Sequence, residues 1–367
     1  MNRMTSTHAA RPPLEGIRVL DLSFFTPGPF ASQILADLGA TIIKVEAPPE
    51  GDRERYIMPS YFKAYNRGKY SVVLNLKDPA DLAKCLELAK EAHVVIEGFR
   101  PGVVERLGVD FETIAKLNPE IIYASISAYG SKGKYAQARA HDPEIQAMTG
   151  QLHYAKDASG KPYYNFAYPT SDYAAAMYAV IGILSWVHKP NHGPVHVEAP
   201  MAAAALAWMY PQYLNAIEDG NRDFADNNLW RGSYRTSDNR YITLTPAEGL
   251  VELAKVLGVE GITGRSKEEM GRIADAIALR HSEEVVPLLL KAGVPVGLVQ
   301  TADEAIADPG LLSLGMLEFA PDNMTCGSPI LGMPTLHLRD VPQLDGHGVQ
   351  IRTGGWSAIE KNQETTK

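Results

Sequence analysis

Gly28-Pro29-Phe30-Ala31-Ser32-Gln33-Ile34-Leu35-Ala36-Asp37-Leu38-Gly39-Ala40-Thr41-Ile42-Ile43-Lys44-Val45-Glu46 is the stretch whose reading decides the fold. It follows the apolar run Ile17-Arg18-Val19-Leu20-Asp21-Leu22, so the chain reads strand, tight Pro/Gly turn, helix, strand: one βαβ unit. In such units the carboxyl end of the first strand and the amino end of the helix face one crevice, where free backbone N–H groups favour anionic ligands. The turn is Thr26-Pro27-Gly28-Pro29 and not Gly-x-Gly-x-x-Gly. The dinucleotide fingerprint is therefore missing, and nicotinamide is not expected. A different ligand carrying phosphate or carboxylate is implied.

The same grammar continues outward. Val72-Val73-Leu74 is followed by an amphipathic run from Pro79 to Lys90, then by Val94-Val95-Ile96. Phe111 to Asn118 reads as a helix ended by Pro119, and Ile121 to Ile126 as the next strand. Such alternation predicts an α/β fold with a mostly parallel, helix-covered sheet. Tyr173 to Trp186 and Met201 to Leu214 are Ala-rich, nearly all apolar, too long for strands and too short to span a bilayer. Buried helices forming a central packed layer are expected there. Gly232 to Leu244 reads as a hairpin around Ser237-Asp238-Asn239. A second domain is expected to begin near it, with helices at Leu250 to Leu257, Lys267 to Ala278 and Ser282 to Ala292, then the strand Val296 to Val299.

Composition fits a soluble enzyme: 367 residues give a prior of roughly two domains, and 45% apolar residues supply a sizeable core. The net charge of −8, with no Lys/Arg block, makes nucleic acid or an anionic membrane surface a poor partner. Cys85 and Cys326 are the two cysteines, and neither a signal segment nor a membrane-length apolar run is apparent, so a cytoplasmic location is expected. His188, His192 and His196 recur every fourth residue, yet Pro190, Gly193 and Pro194 forbid the helix that would align them, and no metal site is expected. No Gly-x-Ser-x-Gly elbow supports a serine hydrolase.

The opening stretch, continued by Pro48-Pro49-Glu50-Gly51-Asp52-Arg53, resembles the start of the family III coenzyme A transferases (CaiB/BaiF superfamily), which also contains the α-methylacyl-CoA racemases. The likeness extends through Tyr65-Asn66-Arg67-Gly68-Lys69-Tyr70-Ser71-Val72-Val73-Leu74-Asn75-Leu76 and Ile96-Glu97-Gly98-Phe99-Arg100-Pro101-Gly102-Val103-Val104-Glu105-Arg106-Leu107-Gly108. The resemblance implies a large, discontinuous Rossmann-like CoA-binding domain, residues 1–215, with a smaller inserted α+β domain at 225–310 and a return segment at 315–367. It also implies an interlocked homodimer, each chain threading its partner. Coenzyme A would enter as acyl-CoA. Thr26, Pro27 and Gly28 would lie at its pantetheine end, Lys69 near the nucleotide, and Phe99, Arg100, Arg106 and Leu107 around the adenosine phosphates, where Arg offers bidentate donors. Arg53 and Arg55 match the family's Gly-Asp-x-x-Arg pattern, as phosphate ligands or as a salt bridge stabilising the loop.

Chemistry rests on Asp172, in Tyr168-Pro169-Thr170-Ser171-Asp172-Tyr173-Ala174, where the family carries its catalytic aspartate. By itself the residue also reads as a helix N-cap; at a helix start the dipole would keep it ionised, as a nucleophile requires. In the transferase reading Asp172 exchanges CoA between an acyl-CoA and an acceptor carboxylic acid through an aspartyl-CoA thioester. His141, followed by Asp142, also resembles the racemase version of this segment, in which His141 faces Asp172 across the substrate α-carbon and Glu248 supports it. A third reading is a CoA-binding subunit without turnover. The aromatics Phe24, Phe25, Tyr163 and Tyr164 could line an acyl pocket or belong to the core.

Overall fold

Six strands lie side by side in the order β3-β2-β1-β4-β5-β6: β1 (Arg18–Asp21), β2 (Thr41–Glu46), β3 (Tyr70–Val73), β4 (Val94–Glu97), β5 (Ile122–Ser125) and β6 (Val195–Glu198). Every pairing is parallel, with Val19 opposite Ile42 on one side and Val94 on the other. This computed structural model describes residues 11–157, 159–218, 232–245, 249–264, 266–320, 323–327, 329–330 and 340–365. The sheet is the parallel, doubly wound architecture that the alternating sequence predicts. Its strand order reverses direction between β1 and β4, which opens a crevice beyond their carboxyl ends.

Pleating sends alternate residues into two cores. Val19, Ile42, Val94, Ile96 and Ile122 join the helices Pro27–Asp37 and Thr170–Leu184 on one face. Leu20, Ile43, Val72, Val95 and Tyr123 join the helices Pro79–Glu91 and Phe111–Leu117 on the other. Helix Gly348–Thr365, kinked at Gly355, completes this second layer against β3 and the Pro79–Glu91 helix. Trp356 is fully buried there and donates its indole N–H to the Leu88 carbonyl at 2.9 Å.

The Ala-rich stretches are helices, Thr170–Leu184 and Met201–Glu218, but each is buried on one face only. Ala174, Ala175, Ala176 and Ala179 are sealed, while Met177 is 47% and Ile181 57% exposed. Small side chains went inward because they let the helix approach the Pro27–Asp37 helix closely, and the large ones were left outside.

The chain forms two compact units, Met1–Pro211 with Met316–Lys367, and Gln212–Gly315. The second contains an antiparallel sheet of β7 (Gly232–Arg235), β8 (Tyr241–Leu244) and β9 (Val296–Leu298), with the helices Leu250–Leu257, Lys267–Ala278 and Ser282–Lys291. A further hairpin, β10 (Leu317–Ala320) with β11 (Asn323–Cys326), belongs to the first unit. Among the described residues no helix is long and apolar enough to cross a membrane.

Trp356→Ala removes the largest side chain of the second core and leaves a cavity, so unfolding free energy should fall by about 3–5 kcal/mol. Urea denaturation followed by circular dichroism measures this; a loss below about 1 kcal/mol would mean that the Gly348–Thr365 helix is peripheral to stability.

Candidate active site

The crevice is built on charge buried at the end of β1. Asp21 is fully enclosed, and Lys69 Nζ donates to its Oδ2 at 3.1 Å. The same ammonium donates to Ser32 Oγ at 2.7 Å, Asn66 Oδ1 at 2.9 Å and the Pro29 carbonyl at 3.0 Å. Lys69 was expected near the CoA nucleotide. Its side chain is instead 0% exposed and its donors are spent on four internal acceptors, so it fixes the loop and does not present charge to solvent. Burial brings Lys69 down to about 8 against the pull of Asp21. Burial also works against the Asp21 anion, but Lys69 and Lys44 outweigh it and hold the carboxyl well below the usual range. Beside this pair Lys44 bonds Asp52 at 3.0 Å, and Arg55 grips Glu46 with two bonds of 2.8 and 2.7 Å. Arg55 therefore closes the loop, whereas exposed Arg53 faces the crevice.

Above the cluster the turn after β1 is tightly constrained. A Cβ on Gly28 would stand 2.2 Å from Ser23 Cβ, so glycine is required by close approach of the backbone. Phe25 takes a left-handed φ of 59°, unfavourable for a bulky residue, and this turns Phe24, Phe25, Thr26 and Pro27 toward the crevice. Pro27 and Pro29 have no N–H, which leaves Gly28 as the single possible backbone donor among the first three residues of the helix. The expected anion cradle at this helix end is correspondingly thin.

A cavity of about 760 Å³ lies over the β1/β4 reversal. Its walls come from Phe24 to Pro27 after β1, Gly98 to Pro101 after β4 and Ile126 to Ala128 after β5, with His141, Asp142 and Asp172 opposite. This is where doubly wound sheets hold their ligands. Of the expected CoA contacts, Thr26, Pro27, Phe99 and Arg100 line it; Gly28 lies directly behind, and Arg106 and Leu107 sit on the Val103–Leu107 helix outside its lining. Tyr164 lines the cavity and Tyr163 does not. His188, His192 and His196 share no helix: the Thr170–Leu184 helix ends before them, and His196 in β6 stacks on Phe111.

Asp172 is the third residue of the Thr170–Leu184 helix, and its carboxylate does not cap that helix. The cap is supplied from elsewhere: Asp142 Oδ1 accepts from the Ser171 N–H at 2.7 Å and from the Ser171 hydroxyl. Asp142 Oδ2 takes Gln146 Nε2 at 2.6 Å and the Tyr164 hydroxyl at 2.7 Å. Four donors thus lock Asp142, and through it the helix start that carries Asp172. Among the described residues the Asp172 carboxylate itself has no hydrogen-bond partner. Burial, then the charges of Asp142 and Glu54, push it well above the ordinary 3.8. The helix dipole was expected to keep it ionised; desolvation and two neighbouring acids prevail.

His141 is exposed and lies edge-on to Phe25 at 5.8 Å between ring centres; its backbone N–H donates to Glu144 Oε2 at 2.8 Å. Glu248, the expected third member of a racemase set, lies outside the described residues. Sequence reasoning overlooked Glu54, Tyr61 and Arg139, which all line the cavity. Glu54 sits in Gly51-Asp52-Arg53-Glu54-Arg55, a run with the appearance of ordinary solvated loop charge.

A family model for CoA-transferase family III matches residues 14–347. The chain is 33% identical over 380 residues to the acetyl-CoA:oxalate CoA-transferase of Acetobacter aceti, a match spanning 95% of this chain and 98% of that one. It is 29% identical over 393 residues to the succinate–glutarate CoA-transferase of Agrobacterium fabrum, spanning 95% and 97%. Among solved structures, a CaiB/BaiF family protein from Brucella suis superimposes with a TM-score of 0.84 at 26% identity, over 94% of this chain and 99% of that one.

A carboxyl whose folded value is raised binds its proton more tightly in the folded chain, so stability falls as pH rises from the ordinary carboxylate range through that higher value. Asp172→Asn should therefore raise the melting temperature at pH 8 by roughly 2 °C or more and change it little at pH 4. Scanning calorimetry at the two pH values checks this; a variant less stable than wild type at pH 8 would show that the Asp172 anion is stabilised in place.

Proposed function

The chain belongs to CoA-transferase family III, and from that premise we propose that it transfers coenzyme A from an acyl-CoA to an acceptor carboxylic acid through covalent catalysis by Asp172. One observation carries the reading: an unbonded carboxylate, held by a locked helix start, on the wall of a cavity at the sheet's reversal point. Relatives named acetyl-CoA:oxalate and succinate–glutarate CoA-transferase suggest small carboxylic acids as the exchanging partners.

In this mechanism Asp172 attacks the thioester carbonyl, the C–S bond breaks, and CoA leaves as thiolate from an acyl-aspartyl anhydride. The thiolate attacks the aspartyl carbonyl, releasing the donor acid and leaving an aspartyl-CoA thioester. The acceptor carboxylate attacks that thioester, and the expelled thiolate returns to the acceptor's carbonyl in the second anhydride, regenerating Asp172. Thioester energy is conserved because no step uses water. The raised proton affinity of Asp172 makes it a stronger nucleophile once ionised, and it also restricts activity to pH values above that titration. Arg53, Arg100 and Arg139 give the cavity rim positive charge for the phosphates of CoA.

The exposed apolar side chains Met177 and Ile181 on the Thr170–Leu184 helix, and Leu206 and Trp208 on the Met201–Glu218 helix, support a second part of the reading, that a second copy of the chain covers them. Ile181→Glu should convert a dimer to monomer in sedimentation analysis; an unchanged sedimentation coefficient in a variant that stays folded argues against this face as the interface.

The covalent step has a direct test. Incubation with acetyl-CoA or succinyl-CoA, quenching with hydroxylamine or borohydride and peptide mass spectrometry should find a modified Asp172, and Asp172→Ala should lower transfer at least about 10³-fold. Deuterium entering the substrate α-carbon from heavy water, with Asp172 unlabelled, would point to racemisation. Binding of CoA with neither outcome would indicate a subunit without turnover.

A further inference from the structure

One buried acid of the cavity has no part in that sequence of steps. Glu54 begins the short Glu54–Ile57 helix, is 1% exposed and belongs to the cavity wall. Its Oε1 lies 2.9 Å from Thr26 Oγ1, while its Oε2 is buried with no hydrogen-bond partner. Nearby cations are engaged elsewhere, Lys44 on Asp52, Lys69 on Asp21 and Arg55 on Glu46. The titratable groups facing it are Asp52 beside it in the loop, Lys44 from β2, Lys69 before β3, Tyr61 and Tyr65 from the Pro59–Asn66 helix, and Asp172 across the cavity. Burial, only partly offset by the Thr26 hydroxyl, brings the carboxyl up to about 7, with Asp52 adding repulsion.

A threonine hydroxyl has one proton to donate and two lone pairs. A separation of 2.9 Å suits a hydrogen bond running in either direction. With Glu54 ionised, the Thr26 proton must turn onto it, and the side of Thr26 facing the cavity offers only lone pairs to an incoming carboxylate. With Glu54 neutral, its own O–H can donate to Thr26, which frees the Thr26 proton.

We propose that Glu54 is a positioning residue for acyl transfer, acting through Thr26: the neutral acid donates to the Thr26 oxygen, and the Thr26 hydroxyl donates into the cavity to an oxygen of the acceptor carboxylate or of the thioester carbonyl as it becomes negative. This rests on the reading of Asp172 as nucleophile. It assigns the cavity a neutral acid, so that an anionic acceptor approaching the aspartyl-CoA thioester meets no negative charge from Glu54.

The test is kcat/KM for the acceptor between pH 5.5 and 9, using acetyl-CoA with oxalate or succinyl-CoA with glutarate. Wild type should fall above about pH 7. In Glu54→Gln the amide donates at every pH, so the alkaline fall should disappear. Thr26→Ala should reduce kcat/KM by about 10–100-fold and flatten the alkaline side. Thr26→Ser should restore both rate and fall, and adding Glu54→Gln to Thr26→Ala should cost less than about twofold more. An alkaline fall of unchanged midpoint in Glu54→Gln, or wild-type behaviour of Thr26→Ala, overturns the inference. Trapping on the same samples separates the two ideas: labelled Asp172 with an unmoved alkaline limb defeats the Glu54 role alone, whereas no label in wild type defeats the nucleophile on which it rests.

Discussion

The ion pair between Asp21 and Lys69 is the constraint on which the rest of the site depends. It joins three pieces of backbone that would otherwise be independent: the end of β1, the first turns of the Pro27–Asp37 helix through Ser32 and Pro29, and the approach to β3. Such a pair contributes little net stability, since burying both charges costs nearly what their attraction returns, but losing one partner strands the other in a dry interior at a cost of about 3–5 kcal/mol. Its value is therefore geometric. The loop from Leu22 to Thr26 has one permitted path, and that path sets the cavity wall.

The opposite wall is organised by the same logic with different chemistry. Asp142 gathers four donors, two of them from Ser171, and so replaces the missing cap of a helix that starts after Pro169. Asp172, one residue on, receives no such support. The protein thus spends all its local hydrogen-bonding capacity on the acid that holds the frame and none on the acid proposed to react. Concentrating unfavourable electrostatics at one functional carboxyl, inside an otherwise satisfied scaffold, is the usual compromise between stability and activity.

Much of this was legible in the residues. Periodicity located the parallel strands and the helices between them, because strands buried on both faces must be apolar throughout and the intervening helices must not. The Asp172 segment stood out through its resemblance to a family, and the cavity contains it. What could not be read was which charged residues go inside. Lys69 and Glu54 look like surface charge in one dimension; they are interior because Asp21 meets the first across 48 positions of sequence and Thr26 the second across 28. Pairings of that range leave no local signature. The Ala-rich helices look wholly buried in sequence for a related reason: composition reports the average polarity of a helix, and only packing, as of Thr170–Leu184 on the Pro27–Asp37 helix, decides which side is covered.

The location of Trp356 bears on how the protein is made. The segment carrying it follows Gln212–Gly315 in the chain, yet it seals a core whose other members, Leu88, Val95 and Tyr123, leave a ribosome more than two hundred residues earlier. The first unit must therefore wait, with one layer of its sheet covered only by the Pro79–Glu91 and Phe111–Leu117 helices, while Gln212–Gly315 is synthesised and can collapse by itself. During that interval the nascent chain exposes an apolar face, and a chaperone that shields such faces has a defined window in which to act.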